Sequence, residues 1–340
     1  MDSSRDKQSG HLAWERVFSG KRVIITGGCG FIGSHLAEKL VTCGADVTLV
    51  DSLIPEYGGN LFNIGRIRDR VHLNISDVRD EHSMKHLIQG MDYLFNLAGQ
   101  TSHMDSMGDP QTDLAINSAA QLFILEACRR FNPGIQLVFA STRQIYGKPD
   151  YLPVDEKHPL RPVDVNGINK LAGEQYHLLY GRIHGIHTCV LRLTNTYGPH
   201  MRIKDARQTF VGVWIRNIIE GKPFDVWGGG QKRDFTYVSD AVDAFLRAAA
   251  LPEADGETFN LGGLEVVTLR ELADTLVAAA GEGRYEVHEF PAERRQIDIG
   301  DYYADDKLIR ERLAWQPRVS LKDGLRKTVE FYRQWGSNYL

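Results

Sequence analysis

Hydrophobic positions in the first half of the chain fall in short, nearly unbroken runs. Residues 22–26 (RVIIT), 47–51 (VTLVD), 71–74 (VHLN), 92–98 (DYLFNLA), 135–141 (IQLVFAS) and 187–193 (HTCVLRL) are rich in β-branched, aromatic or leucine side chains and are bounded by Gly, Asp or Asn. Runs of this length without polar alternation suit strands buried on both faces of a parallel sheet. Between them lie stretches with apolar residues at helical spacing, such as 33–44 (GSHLAEKLVTCG) and 114–131 (LAINSAAQLFILEACRRF). The alternation predicts an α/β fold with a doubly wound parallel sheet of the Rossmann type. After about residue 197 the order loosens. Residues 205–221 (DARQTFVGVWIRNIIEG) predict a helix ending at Gly221, and residues 228–250 predict a loop, a strand and a helix. The remaining segments are short, as in a smaller domain built from insertions.

Composition narrows the function classes. The chain has 340 residues, 42% of them apolar and 25% charged, with a formal charge of −4, which is ordinary for a soluble globular protein. No Lys/Arg block forms a basic patch, so no nucleic-acid partner is expected. No apolar run approaches the ~20 residues that cross a bilayer, so no membrane partner is expected either. Residues 1–19 are polar, lack a signal-peptide core and read as a loosely ordered N-terminal extension; the expected location is cytoplasmic. Cys29, Cys43, Cys128 and Cys189 are scattered, without CxxC or ligand spacing, so reduced packing residues and no metal site are expected.

The first strand runs into a glycine-rich turn. Gly27 permits the tight turn, Gly30 lets backbone approach a pyrophosphate, and Gly33 allows close packing of the helix that follows, with Phe31 and Ile32 between them. A pyrophosphate then meets free N–H groups at a helix N-terminus. Asp51 ends the next strand about 20 residues on, the spacing at which an acidic residue binds an adenosine ribose and repels a 2′-phosphate. NAD is therefore the expected cofactor.

The motifs TGGCGFIG (26–33), DVRD (77–80), NLAGQTSH (96–103), STRQIYG (141–147), LRLTNTYGP (191–199) and GGGQKRDFTYVSD (228–240) occur in that order. The series resembles the extended short-chain dehydrogenase/reductase family, the nucleotide-sugar epimerases and dehydratases, from about Lys21 to the C-terminus. The resemblance implies an NAD-binding Rossmann domain over 20–197 plus about 233–262, and a smaller nucleotide-sugar-binding domain over about 198–232 plus 263–340. It places Asp77 and Val78 beside the adenine, Leu97, Ala98 and Gly99 along the cofactor, and Asn117 near the catalytic loop.

In the family a Ser or Thr, a Tyr and a Lys act together, and the Tyr takes the proton of a sugar hydroxyl as hydride leaves for NAD. Thr142 matches the hydroxyl and Lys170 the lysine, but Asn166 stands where the tyrosine belongs. The one Y-x-x-x-K, Tyr303 to Lys307, lies far along the chain and is a coincidence of pattern. An amide orients a hydroxyl but does not accept its proton at neutral pH. His103, Tyr146, Tyr151, Lys170 or a bound water are the candidates to replace it. Family dehydratases and decarboxylases carry acidic groups just after the Thr, where this chain has Arg143 and Gln144. Elimination and decarboxylation are therefore disfavoured, leaving oxidation at a ring carbon. The resemblance also points to Asn195, Arg233 and Arg295 as diphosphate contacts and to Asp298 as a ribose contact. Trp227 either packs near the base or fills the core.

The expected function is an NAD-dependent enzyme transferring hydride at C4 of a nucleotide-diphosphate sugar, as an epimerase or as a dehydrogenase yielding a 4-keto sugar. A catalytically impaired protein that binds nucleotide-sugar and NAD is the alternative, with a dehydratase or decarboxylase third. By analogy, helices containing 112–131 and 166–184 would pair across a homodimer.

Overall fold

In the computed structural model the described residues are 15–290 and 299–340. The strands are β1 (Arg22–Thr26), β2 (Asp46–Asp51), β3 (Val71–Ile75), β4 (Tyr93–Asn96), β5 (Gln136–Thr142), β6 (His187–Leu193), β7 (Asn195–Tyr197), β8 (Phe224–Trp227), β9 (Lys232–Tyr237), β10 (Thr258–Asn260), β11 (Val266–Thr268) and β12 (Tyr285–His288). The helices are α1 (Phe31–Thr42), α2 (Glu81–Ile88), α3 (His103–Gly108), α4 (Pro110–Leu114), α5 (Ala120–Phe131), α6 (Val165–His184), α7 (Phe210–Ile219), α8 (Val238–Ala250), α9 (Leu269–Ala280), α10 (Lys307–Leu313) and α11 (Leu321–Trp335).

Seven strands form one parallel sheet in the order β10-β6-β5-β4-β1-β2-β3. The expected doubly wound sheet is the one observed, and β1 shows why its strands read as continuous apolar runs. Val23 and Ile25 enter one core while Ile24 enters the other, and all three are fully buried. One face packs Leu36 and Leu40 of α1 with Phe245 of α8; the other packs Met84 of α2 with Ile124 and Leu125 of α5. Phe18, within the stretch read as a loose extension, is also fully buried, with its ring 5.0 Å from that of Tyr93. The chain winds outward from β1 to β3, then crosses back so that β4 flanks β1 on its other side. This reversal leaves a crevice beyond the carboxyl ends of β1 and β4, where doubly wound sheets bind ligands.

A three-stranded sheet, β11-β9-β7, stands beside the large one. The chain passes between the two in a single residue. β6 ends at Leu193, Thr194 turns the corner, and β7 begins at Asn195, pairing with β9. The Thr194 hydroxyl donates to Asp234 Oδ1 (2.5 Å), while Asp234 Oδ2 accepts the Ala304 N–H (3.1 Å). Burial raises the pKa of the Asp234 carboxyl, against the hydrogen bonds that pull it down.

Two helices depart from expectation. The stretch 114–131 is interrupted by a π-turn over Ala115–Ala119, around which Asn117 and Gln121 bond inward. The helix expected over 205–221 begins only at Phe210, capped by Thr209. Asp205 instead pairs with Arg202 at 2.6 Å and accepts the Arg207 N–H at 3.2 Å, interactions that hold those residues out of the helix. Among the described residues no helix is long and apolar enough to cross a membrane, and no cluster of His, Cys, Asp or Glu could hold a metal ion. All four cysteines are free, three of them buried.

Candidate active site

The crevice is a cavity of about 680 Å³, well within the size range of small-molecule sites. At one end it is walled by the glycine turn. Gly27 lies at φ +68°, a conformation glycine adopts without strain. A Cβ on Gly33 would stand 2.2 Å from the Gly27 carbonyl oxygen, so helix and turn meet only if position 33 lacks a side chain. The α1 N-terminus has no side-chain cap, and its first residues Phe31, Ile32 and Gly33 line the cavity beside Gly27 and Gly30. Asp51 reaches in from the end of β2, its carboxylate accepting N–H bonds from Cys29 (2.9 Å) and Leu53 (2.9 Å). Burial raises its pKa, and those two bonds partly offset the rise. A carboxylate has about four acceptor positions, so two remain for a pair of ribose hydroxyls. Asp77 and Val78 line the same end. Asp77 is held below the usual carboxylate range chiefly by its hydrogen bond with Arg79. Leu97, Ala98 and Gly99 form the floor after β4. The turn, the bare helix end and the half-satisfied acid together fit a dinucleotide.

Farther along, β5 delivers Thr142, whose hydroxyl oxygen accepts the Gln144 N–H (3.2 Å), and α6 delivers Asn166 and Lys170 one turn apart. The helix starts where it does because Asp164 caps it, accepting the Gly167 N–H at 2.6 Å. Lys170 is buried, donates to Ala140 O (3.2 Å) and lies 5.1 Å from the centre of the Phe139 ring. Burial lowers its pKa to about 8, while the charge of Asp113 opposes the drop. Asn117 does not line the cavity but lies just behind it. Its Oδ1 is buried with no partner among the described groups, and a Cβ on Gly99 would stand 2.9 Å from both that oxygen and Lys170 Nζ. An acceptor left open beside a lysine suits a hydroxyl arriving with a ligand.

Asn166 is engaged within the protein. Its Nδ2 donates to Gln100 O (2.8 Å) and to Asp113 Oδ2 (3.0 Å), and its backbone N–H reaches Ser106 Oγ (3.2 Å). Asp113 has no solvent exposure and also accepts from Asn117 Nδ2 (3.0 Å) and Asn169 Nδ2 (2.8 Å). Three amides from two helical segments thus converge on one buried carboxylate and tie α6 to α4 and to the loop after β4.

His103, at the start of α3, lines the cavity, with Nδ1 3.0 Å from Asp164 Oδ2. The Gln144 amide nitrogen lies 3.0 Å from His103 Nε2. Two other groups suggested as proton acceptors lie elsewhere. The Tyr146 hydroxyl is buried outside the cavity, donating to Asn260 Oδ1 (2.7 Å) and accepting from Arg192 (2.6 Å); burial raises its pKa strongly. Tyr151 is exposed and donates to Asp155 (2.7 Å), a bond that pushes its pKa up to about 12. Tyr303 and Lys307 are also absent from the cavity lining.

The far wall comes from the small sheet. Asn195 accepts from Arg143 (3.0 Å) and donates to Asp234 O (2.9 Å). Arg233 lines the cavity while donating to the carbonyls of Lys232 (2.8 Å) and Gly300. Arg295 and Asp298 lie outside the described residues. Trp227 is away from the cavity, its ring centred 5.0 Å from that of His288. Sequence reasoning missed Asp113, Asp164, Gln100 and Arg207. The one available signal was for Asp164, an acid immediately before an apolar-periodic helix, which marks a cap but not a partner.

A family model described as the NAD dependent epimerase/dehydratase family matches residues 23–262. The UDP-glucose 4-epimerase of Mycolicibacterium smegmatis is 31% identical over 315 residues, covering 92% of this chain and 98% of its own. The dTDP-glucose 4,6-dehydratase of Streptomyces niveus is 31% identical over 322 residues, covering 92% and 93%. A crystal structure of UDP-glucose 4-epimerase with UDP-glucose from Thermotoga maritima superposes with a TM-score of 0.83 at 30% identity, covering 92% of this chain and 99% of that one.

Proposed function

The chain belongs to the NAD dependent epimerase/dehydratase family, and from that premise we propose that it oxidises C4 of a nucleotide-diphosphate sugar, as an epimerase or as a dehydrogenase releasing a 4-keto sugar. The observation that carries this reading is one continuous cavity. It runs from the glycine turn and Asp51, past Thr142 and Lys170, to Asn195 and Arg233. Overall identity does not choose the reaction, because an epimerase and a dehydratase are equally similar. The residues after Thr142 favour simple oxidation. Arg143 and Gln144 line the cavity, and neither supplies the acid or base that elimination needs.

NAD, when bound, supplies the hydride acceptor. The α1 N-terminus would hold the pyrophosphate, Asp51 the adenosine ribose, and Lys170, which lines the cavity, the hydroxyls near the reacting carbon. Thr142 orients the sugar hydroxyl, while Arg233 and Asn195 hold the nucleotide diphosphate. We place the enzyme in the cytoplasm as a homodimer. The dimer is supported by Leu114, Phe123, Phe131, Ile168, Leu179 and Ile183, large apolar residues exposed on α4, α5 and α6.

The test is product analysis on a panel of UDP-, dTDP-, GDP- and CDP-sugars with NAD, following NADH absorbance and the proton NMR spectrum of the sugar. An epimer without NADH build-up identifies an epimerase. A keto-sugar with stoichiometric NADH identifies a dehydrogenase. The captive Asn166 amide favours one second reading, a binding protein without turnover; NAD and nucleotide-sugar binding with neither product would establish it. Binding of neither NAD nor any nucleotide diphosphate would overturn both readings.

A further inference from the structure

A sugar hydroxyl oxidised at C4 must give up a proton, and Asn166 is tied into the Asp113 cluster through a group that only donates. The cavity-lining groups able to accept a proton are few. Asp51, Tyr57 and Asp77 lie at the nucleotide end, and Asp105 is paired with Arg207 (2.7 Å). Lys170 directs its amine to the Ala140 carbonyl. His103 is the remaining group at the Thr142 end, and a carboxylate holds it in place.

We propose that His103 is the catalytic base that stands in for the missing tyrosine, with Asp164 as its positioning residue. The inference rests on the oxidoreductase reading above. Asp164 Oδ2 lies 3.0 Å from His103 Nδ1, so the ring donates Nδ1–H to the carboxylate and turns the Nε2 lone pair outward. Asp164 cannot swing away, because it also caps α6 through the Gly167 N–H (2.6 Å). Its side chain is 1% exposed and that of His103 is 37% exposed, so the acid is sheltered while the ring faces the cavity. Burial would raise the pKa of Asp164, but the hydrogen bond and charge of His103, the Gly167 N–H and the charge of Arg143 outweigh it and keep the pKa low. Gln144 completes the arrangement. Its Oε1 accepts from Arg143 (3.2 Å), which fixes its NH₂ beside the ring, 3.0 Å from Nε2 and 3.1 Å from Nδ1, and near Asp164 Oδ2 (3.5 Å). An incoming sugar hydroxyl replaces that NH₂ at Nε2.

The reaction then balances. The O4–H bond breaks and its proton goes to His103 Nε2. The C4–H bond breaks with its electron pair leaving as hydride for the oxidised nicotinamide of NAD, and a C4=O double bond forms. The imidazolium is compensated by Asp164. For epimerisation, Nε2–H returns its proton as hydride returns to the other face of the carbonyl. Asp164 contacts the ring, and the charged groups lining the same part of the cavity are Arg143 after β5, Lys170, Asp105 on the same short helix, and Arg207. The observed cluster supplies both members of a base-and-orienter pair at the spot where the family tyrosine is lost.

The test uses full-length His103→Gln and Asp164→Asn on whichever nucleotide-sugar the wild type converts. Kd values for NAD and UDP and the pH profile of kcat are measured alongside. For H103Q the expected result is a fall in kcat of about 10²–10⁴-fold, loss of the acid limb of the profile, and unchanged Kd values. Asn still caps a helix, so D164N keeps α6 but removes the charge. It should lower kcat while KM holds, because the imidazolium formed in the reaction has lost its counter-charge. An H103Q enzyme that keeps the wild-type kcat and acid limb would overturn the proposal, as would parallel loss of NAD and UDP binding, which marks a structural role. Wild type that binds the ligands but converts nothing would overturn the oxidoreductase reading and the proposal with it.

Discussion

Asn166→Tyr installs the residue that the family resemblance implies at this position and separates a degenerate site from a rebuilt one. If position 166 were a simple loss, the reversion should restore a general base and raise turnover by about 10²–10⁴-fold. The structure predicts the opposite. Asn166 is 3% exposed, and its Nδ2 is one of three amide donors to the fully buried Asp113. Removing a hydrogen bond to a buried charge costs about 1.5–3 kcal/mol. Forcing a phenol into a packed site costs about 1–3 kcal/mol more. Taking about 3 kcal/mol in all, and ~2.1 cal/mol/K of unfolding entropy per residue across 340 residues, Tm should fall by about 4 °C. Scanning calorimetry of both proteins, with kcat on one substrate, is the assay. A variant as stable as the parent and faster than it would refute this reasoning.

Three further outcomes follow from particular contacts. Glu174→Ala strips the buried Arg192 of its partner (2.5 Å), and urea unfolding should show a loss of about 3–5 kcal/mol; a loss under about 1 kcal/mol would count against that pair as a structural tie. Gly33→Ala drives a Cβ to 2.2 Å from the Gly27 carbonyl, so the NAD Kd from titration calorimetry should rise at least about tenfold, about 1.4 kcal/mol; an unchanged Kd would mean the turn yields freely. Burial lowers the pKa values of His35, His177 (to about 4) and His200 (to about 3), so protonation favours the unfolded chain. Stability is then full above about pH 6.5 and falls below it by up to about 1.4 kcal/mol per pH unit for each ring; a denaturation midpoint flat from pH 7 to pH 5 would contradict this.

The sheet was legible because strands buried on both faces are dominated by apolar residues, and the Val-Ile-Ile run of β1 reads that way directly. The cofactor turn was legible because Gly27, Gly33 and Asp51 answer to local backbone needs within one βαβ unit. The rest depends on partners brought together by topology. Nothing in the neighbourhood of Asp113, Asn117, Asn166 or Asn169 marks four polar side chains as one buried cluster; each alone looks like the wet side of a helix. His103 and Asp164 likewise meet only because α3 and α6 start side by side. Tyr146 and Tyr151 carried the right functional group, but burial against Arg192 removed one and surface exposure the other. The late start of α7 followed from Arg202 and Arg207 engaging Asp205, pairings that helical periodicity does not register.

Thr194 joins the seven-stranded sheet to the three-stranded sheet without a linker, and the Asp234 bonds brace the joint on both sides. Leu193, Thr194, Asn195 and Thr196, which all line the cavity, are consequently one unbroken length of backbone, and that stretch of the lining behaves as a ruler with no adjustable part. Under the proposed function, substitutions at the rim would then exchange one sugar or base for another while the same ring carbon stays in register for reaction. Moving the chemistry to a neighbouring carbon would require inserting or deleting residues at the corner itself.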